Sequence, residues 1–223
     1  MEERYDRNIG TLTNTEQELL KTKRAVIVGC GGLGCYSAEF LARIGLGHLT
    51  LIDGDVFVPS NLNRQLNSLE VNLGKSKALE ASSRLRLIRN DLSVEAHDVY
   101  LNEGNAVDLL KGHDLIIDAL DSVNSRLLVE KTAYTLGTAL VHGAVEEWNA
   151  QVCTVFPGDF TLSMLYQSNA EFERPSVVSF APAFCASLQA AEAVKVLLNK
   201  ENILRKKLLI ADLRNYCFEV IDL

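Results

Sequence analysis

Arg24-Ala25-Val26-Ile27-Val28 runs straight into Gly29-Cys30-Gly31-Gly32-Leu33-Gly34, and residues 36–44 follow with helix-forming side chains at apolar spacing. A short β-branched run, a glycine turn and an amphipathic helix together open a parallel crossover unit. Residues 48–52 supply a second apolar run that ends at Asp53. The first βαβ unit therefore closes within about thirty residues, as a parallel crossover requires. Backbone N–H groups of such a turn, with the helix N-terminus behind them, can meet phosphates. The turn alone does not say whose phosphates, because NAD, FAD and ATP all use it. Asp53, at the end of the second strand, is placed to accept hydrogen bonds from ribose hydroxyls.

Outward from this unit the alternation continues. The pattern predicts a helix over 76–88, a strand over 94–99, a short helix over 105–111, a strand over 114–118, a helix over 122–136 and a strand over 139–142. That rhythm predicts an α/β fold with a Rossmann-like, doubly wound, mostly parallel sheet. Beyond it, 151–156, 161–165, 208–212 and 217–221 read as strands with one long helix, about 182–198, among them. They are expected to extend the sheet with antiparallel strands. Residues 56–73 and 167–180 read as irregular segments, the second as a mobile loop. The polar arm, residues 1–21, is expected to stay out of the core and to pack on another subunit. With 223 residues, 48% of them apolar, residues 1–223 are read as a single domain.

Composition narrows the function classes. No apolar run reaches the roughly 18 to 20 residues of a membrane span, and the start of the chain is charged, so a cytoplasmic protein without a membrane partner is expected. A formal net charge of −7 argues against a nucleic-acid partner. Cys30, Cys35, Cys153, Cys185 and Cys217 are scattered and form no CxxC pair. They read mainly as reduced, buried thiols, and no zinc site is expected.

What separates the nucleotides is the stretch behind Asp53. Asn61-Leu62-Asn63-Arg64-Gln65 and Lys77 bring cationic and amide groups close to the ribose position, which suits a triphosphate better than a nicotinamide. A dehydrogenase leaves these residues unexplained. The chain has no Ser-His-Asp or Cys-His constellation, and His142 reads as a hydrogen-bonded structural histidine.

Here the motifs resemble a known series. Arg4-Tyr5-Asp6-Arg7-Asn8-Ile9, the glycine turn, Asp53-Gly54-Asp55, Ser60 to Gln65, Ser76-Lys77, Asp118-Ala119-Leu120-Asp121-Ser122 and Ser187 to Lys195 are similar, in order, to the ThiF/MoeB/HesA family of adenylating enzymes, from residue 4 to about 199. The resemblance implies ATP-dependent adenylation of the C-terminal carboxylate of a small ubiquitin-like sulfur-carrier protein ending in Gly-Gly, with release of pyrophosphate, for thiamine, molybdopterin or related biosynthesis. It implies ATP and Mg2+ as cofactors and a homodimer. By resemblance, Gly29, Gly31, Gly32, Gly34 and Asp55 line the nucleotide site, Asp53 and Asn61 hold the ribose, Arg64 and Lys77 the phosphates, and Asp121 the Mg2+. Arg7 matches the arginine that reaches into the neighbouring subunit's site. The chemistry agrees with these residue types, since a carboxylate is already a nucleophile and the difficulty is bringing it to a polyanion.

The sequence also departs from the family. Where many members carry the first of two zinc-binding CxxC pairs, this chain has Leu162-Ser163-Met164-Leu165, and apolar packing is expected to replace the metal. The loop 167–180 has no cysteine, so adenylation without a covalent cysteine step is expected. Two alternatives stay open: a relative acting on another substrate, such as the tRNA threonylcarbamoyladenosine dehydratase or a peptide-adenylating enzyme, and a nucleotide-binding module without turnover.

Overall fold

Strand β1 (Arg24–Val28) sends Ala25 and Ile27 to one face and Val26 and Val28 to the other, and all four are buried. A strand apolar on both faces must be covered on both, which is how parallel sheets are built. The structure, a computed structural model, describes residues 2–166 and 176–223. Strands β2 (His48–Ile52), β3 (Ser93–His97), β4 (Leu115–Asp118) and β5 (Ala139–Glu146) run parallel with β1. Strands β6 (Asn149–Val155), β7 (Lys207–Asp212) and β8 (Cys217–Asp222) continue the sheet antiparallel, in the order β3-β2-β1-β4-β5-β6-β7-β8. The doubly wound, mostly parallel sheet with antiparallel C-terminal strands is therefore as expected.

Helices α1 (Asn14–Thr22), α2 (Gly34–Ile44), α3 (Lys77–Ile88), α4 (Ala106–Leu110), α5 (Val123–Leu136), α6 (Thr161–Leu165) and α7 (Phe180–Leu197) cover the sheet. Leu20, Leu41, Leu85 and Cys185 bury α1, α2, α3 and α7 on the face of Ala25 and Ile27. Leu110, Val129 and Leu162 bury α4, α5 and α6 on the face of Val26 and Val28. Helix α7 is long and apolar enough, by length and composition, to cross a membrane, contrary to the sequence reading. Here it is a core helix: buried Gln189 donates to Asp118 O and Val141 O, and buried Glu192 accepts from Thr154 Oγ1 and Leu204 N–H.

Three expectations need correction. Residues 161–165 are helix α6 and not a strand. Phe160 turns the chain with φ +51, and the buried Glu130 carboxylate on α5 accepts from Leu162 N–H at 2.7 Å, Ser163 N–H at 2.9 Å and Ser163 Oγ at 2.5 Å. A carboxylate across the open end of a helix supplies acceptors that a β pattern cannot reveal. Leu162 is also fully buried in the apolar cluster on this face, so the cap adds to the apolar packing expected here. Glu130→Ala is expected to lower stability by roughly 2–4 kcal/mol, because it strands these donors, with a fall of about 5–15 °C in thermal midpoint. Calorimetry of the purified variant checks it; an unchanged midpoint removes Glu130 as the anchor.

The arm is the second correction. Tyr5 and Leu20 are fully buried and Leu12 is 8% exposed, Gln17 donates to Ile44 O at 2.8 Å, and Asn8 donates to Gln17 Oε1 at 2.9 Å. A few residues suffice to dock a mostly polar segment on its own chain. Third, residues 56–73 are packed, with two short 3-10 turns (Pro59–Asn61 and Glu70–Asn72) and buried Phe57, Asn61, Gln65, Asn67, Ser68 and Asn72. Asn61 and Asn72 hold those turns by accepting from Val58 N–H and Leu69 N–H, so side-chain amides replace a regular ladder. The expected mobile loop, 167–180, lies outside the described residues up to 175; from Phe180 the chain is already helix α7.

Strand order reverses between β1 and β4, so a crevice opens at their carboxyl ends. Val28 pairs with both Ile52 and Asp118, and Asp118 with His142. Gly29, Asp53 and Ala119 therefore leave the sheet at one level.

Candidate active site

The glycine turn is built by two kinds of glycine. Gly29 has φ +96, and a Cβ on it would stand 2.6 Å from Ala119 O. A Cβ on Gly34 would stand 1.8 Å from Gly29 O. These two are required by the chain's own packing. At Gly31 and Gly32 a Cβ would make only ordinary contacts, 3.5 Å from Gln65 Nε2 and 3.5 Å from Pro182. Among the described residues, nothing demands glycine at these two positions.

Asp53 ties the turn to the end of β2. Its Oδ2 accepts from Cys30 N–H at 2.6 Å and its Oδ1 from Asp55 N–H at 2.8 Å. Burial raises the carboxyl above its ordinary value, opposed by those two bonds and by the Lys77 charge. Lys77, at the first turn of α3, has a side chain only 8% exposed and reaches Asp55 Oδ2 at 2.8 Å. Tyr100, just past β3, donates its hydroxyl to Asp55 Oδ1 at 2.6 Å. Its ring lies where a Cβ on Gly54 would be 2.8 Å away.

The segment 61–68 closes the other side. Arg64 donates to Ser60 O and Asn63 Oδ1, each at 2.9 Å, and the Arg64 stem lies 3.6 Å from the Cβ position of Gly32. Gln65 Oε1, Asn67 Oδ1 and Ser68 Oγ are buried without a hydrogen-bond partner among the described residues. Of these, Gln65 lies beside Gly31 and Asn67 bonds Cys35 just beyond the turn. Asn61 is less free than expected, since its Oδ1 is committed to Val58 N–H at 3.1 Å, leaving its amide NH2. Asp121 is exposed, three residues past the last residue of β4.

Arg7 is exposed and is not brought to this group. Its neighbours Tyr5 and Asn8 are docked at Gly45 and Ile44, the C-terminal end of α2. The glycine turn is at the other end of that 11-residue helix, roughly 16 Å away at 1.5 Å per residue.

The thiols near the turn are buried. Cys35 donates to Cys30 O at 2.8 Å and accepts from Asn67 Nδ2, and burial pushes its thiol up to about 12; burial also raises Cys30. Cys153 and Cys185 are buried as expected, while Cys217 is exposed. Among residues not singled out from the sequence, Gln65 stood within a quoted motif, while Tyr100 carried no signal. Asp118, His142 and Tyr166 also form one network: His142 is fully buried and bonds Asp118 Oδ2 at 2.6 Å and Tyr166 at 3.0 Å.

The ThiF family model matches residues 5–223, further toward the C-terminus than the motifs suggested. The chain belongs to the ThiF family. Among ThiF relatives, it is 31% identical to the SAMP-activating enzyme E1 of Haloferax volcanii, covering 98% of this chain and 84% of that protein. It is 35% identical to the sulfur carrier protein adenylyltransferase of Thermus thermophilus, covering 88% of this chain and 77% of that one. A solved structure, E. coli MccB with ATP, shares the fold at TM-score 0.85 and 21% identity, covering 100% of this chain and 72% of that one.

Proposed function

We propose that this ThiF-family chain is an ATP-dependent adenylyltransferase that activates the C-terminal carboxylate of a small ubiquitin-like, sulfur-carrier-type protein. The observation that carries the reading is the crevice at the β1–β4 reversal, where an acid for ribose, a glycine turn open at Gly31 and Gly32, and Lys77 meet. The relatives' activities are the second support. We read the chain as one adenylating domain acting as a cytoplasmic homodimer in a sulfur-transfer pathway.

In this reading the carrier's carboxylate oxygen attacks the α-phosphorus of ATP. The bond from that phosphorus to the bridging oxygen breaks, and pyrophosphate leaves with the electron pair. No general base is needed, because the nucleophile is already ionised. Asp53 and the Asn61 amide hold the ribose, the turn's N–H groups cradle phosphate, and Arg64 and Lys77 meet the charge that gathers on the departing group. Each such preorganised donor is worth roughly 3 kcal/mol. Mg2+ would supply further charge neutralisation, and the exposed Asp121 carboxylate is a hard oxygen donor of the kind it takes alongside phosphates and water. Arg7, anchored far from its own site, serves the partner's.

The test is ATP–pyrophosphate exchange with a candidate carrier ending in Gly-Gly. Exchange is expected to require both the carrier and its free terminal carboxylate. Tight NAD binding without ATP binding, or carrier-independent ATP hydrolysis alone, would overturn the reading.

A further inference from the structure

The hydroxyl of Tyr166, the residue just after α6, meets three partners: Arg126 Nη1 at 2.9 Å, Gln151 Nε2 at 2.9 Å and His142 Nε2 at 3.0 Å. A tyrosine oxygen can accept twice and donate once. Arg126 and Gln151 can only donate through these nitrogens, so the hydroxyl proton goes to His142 Nε2. The imidazole then keeps its proton on Nδ1, which donates to Asp118 Oδ2 at 2.6 Å. The other Asp118 oxygen accepts from Leu120 N–H at 3.0 Å. Both ends of the chain agree, and burial favours the neutral imidazole they require.

The groups that bond Tyr166 also hold the Leu120 peptide. Its N–H is taken by Asp118, which His142 orients. Its carbonyl is taken by Arg126 through Nη2 at 2.7 Å and Nε at 3.2 Å. Arg126 in turn lies 5.2 Å from the centre of the Tyr166 ring. One hydroxyl from the β6–α6 side of the sheet therefore steers both clamps on the peptide that precedes Asp121.

We propose that Tyr166 is a positioning residue for adenylation: through His142–Asp118 and through Arg126 it fixes the loop 119–122 and thereby the direction of Asp121. The functional half of this inference rests on the reading of Asp121 as the carboxylate for the metal.

The experiment compares the full chain with its Tyr166→Phe variant in three measurements. In the unaltered protein, 15N NMR should find His142 neutral, with its proton on Nδ1; a proton on Nε2 overturns the relay and needs no variant. Amide hydrogen exchange at Leu120 should quicken about tenfold in Tyr166→Phe, the equivalent of one hydrogen bond, with β1 amides unchanged. Unchanged protection at Leu120 overturns the proposal. The Mg2+ midpoint for ATP–pyrophosphate exchange should rise about tenfold, as it should more strongly in Asp121→Asn. If Asp121→Asn moves the midpoint and Tyr166→Phe does not, Tyr166 is only structural and the proposal falls. If Leu120 loosens while neither variant moves the midpoint, the positioning stands and the metal reading of Asp121 fails.

Discussion

Asp121→Ala is expected to abolish ATP–pyrophosphate exchange, a loss of at least about a thousandfold, while the protein stays folded. The side chain is exposed beyond the end of β4, and no hydrogen bond or ion pair of the described residues depends on it. A surface change of this kind stays within about 0.5 kcal/mol, a shift of about 2 °C or less in thermal midpoint. Loss of function without loss of stability is what separates a metal-binding carboxylate from a capping one. Full activity would remove Asp121 from the site. The same variant tests the dimer. Mixed with Arg7→Ala protein under subunit exchange, it should regain activity, because each heterodimer has one site with both residues intact. Proven exchange without recovery would show that Arg7 does not act across the interface.

Gly34→Ala should not yield a stable fold. Its new Cβ would stand 1.8 Å from Gly29 O, and backbone faces it, so the strand-to-helix turn has to open. Overpacking of this severity exceeds the ordinary 1–3 kcal/mol for an inserted methyl, against a total stability of about 5–15 kcal/mol. Insoluble protein, or a thermal midpoint lowered by more than about 15 °C, is the expected result. Gly32→Ala should behave oppositely: the methyl would meet Pro182 at 3.5 Å and Arg64 at 3.6 Å, ordinary distances, so the protein folds. ATP affinity should nonetheless fall tenfold or more, measured calorimetrically, because in the proposed site the methyl stands where phosphate approaches. If both variants fold and bind alike, the division of the turn into packing glycines and ligand glycines is wrong.

The parallel half of the fold was legible because its signals are local. Strand β1, the turn and α2 announce themselves by β-branching, glycine and period, and β2 ends where Asp53 said it would. Signals that act across the chain were not legible. Helix α6 looks like a strand until Glu130, thirty residues earlier, is seen to cap it. The arm looked too polar to dock because only a few of its residues do so, among them Tyr5, which lies beneath Arg89, whose guanidinium sits 5.8 Å from the ring centre. Arg89 itself is 4% exposed and donates to Ala42 O and Leu46 O. For the proposed site, the motifs supply residue types and their order, whereas the partners those residues hold are not in them. Nothing in the order of residues says that Asn61 spends its carbonyl on Val58 or that Tyr100 meets Asp55.

Lys77 is never left as an isolated cation. Asp55 sits against it at 2.8 Å and is itself held by the Tyr100 hydroxyl. In the proposed function, binding a nucleotide is therefore an exchange of anions at a buried ammonium rather than the filling of a bare charge. The incoming group has to out-compete a carboxylate that is tethered and always present. On that reading a full polyphosphate is expected to do so and a single weak anion is not. On that reading Asp55 sets a threshold, since its carboxylate already faces the Lys77 charge.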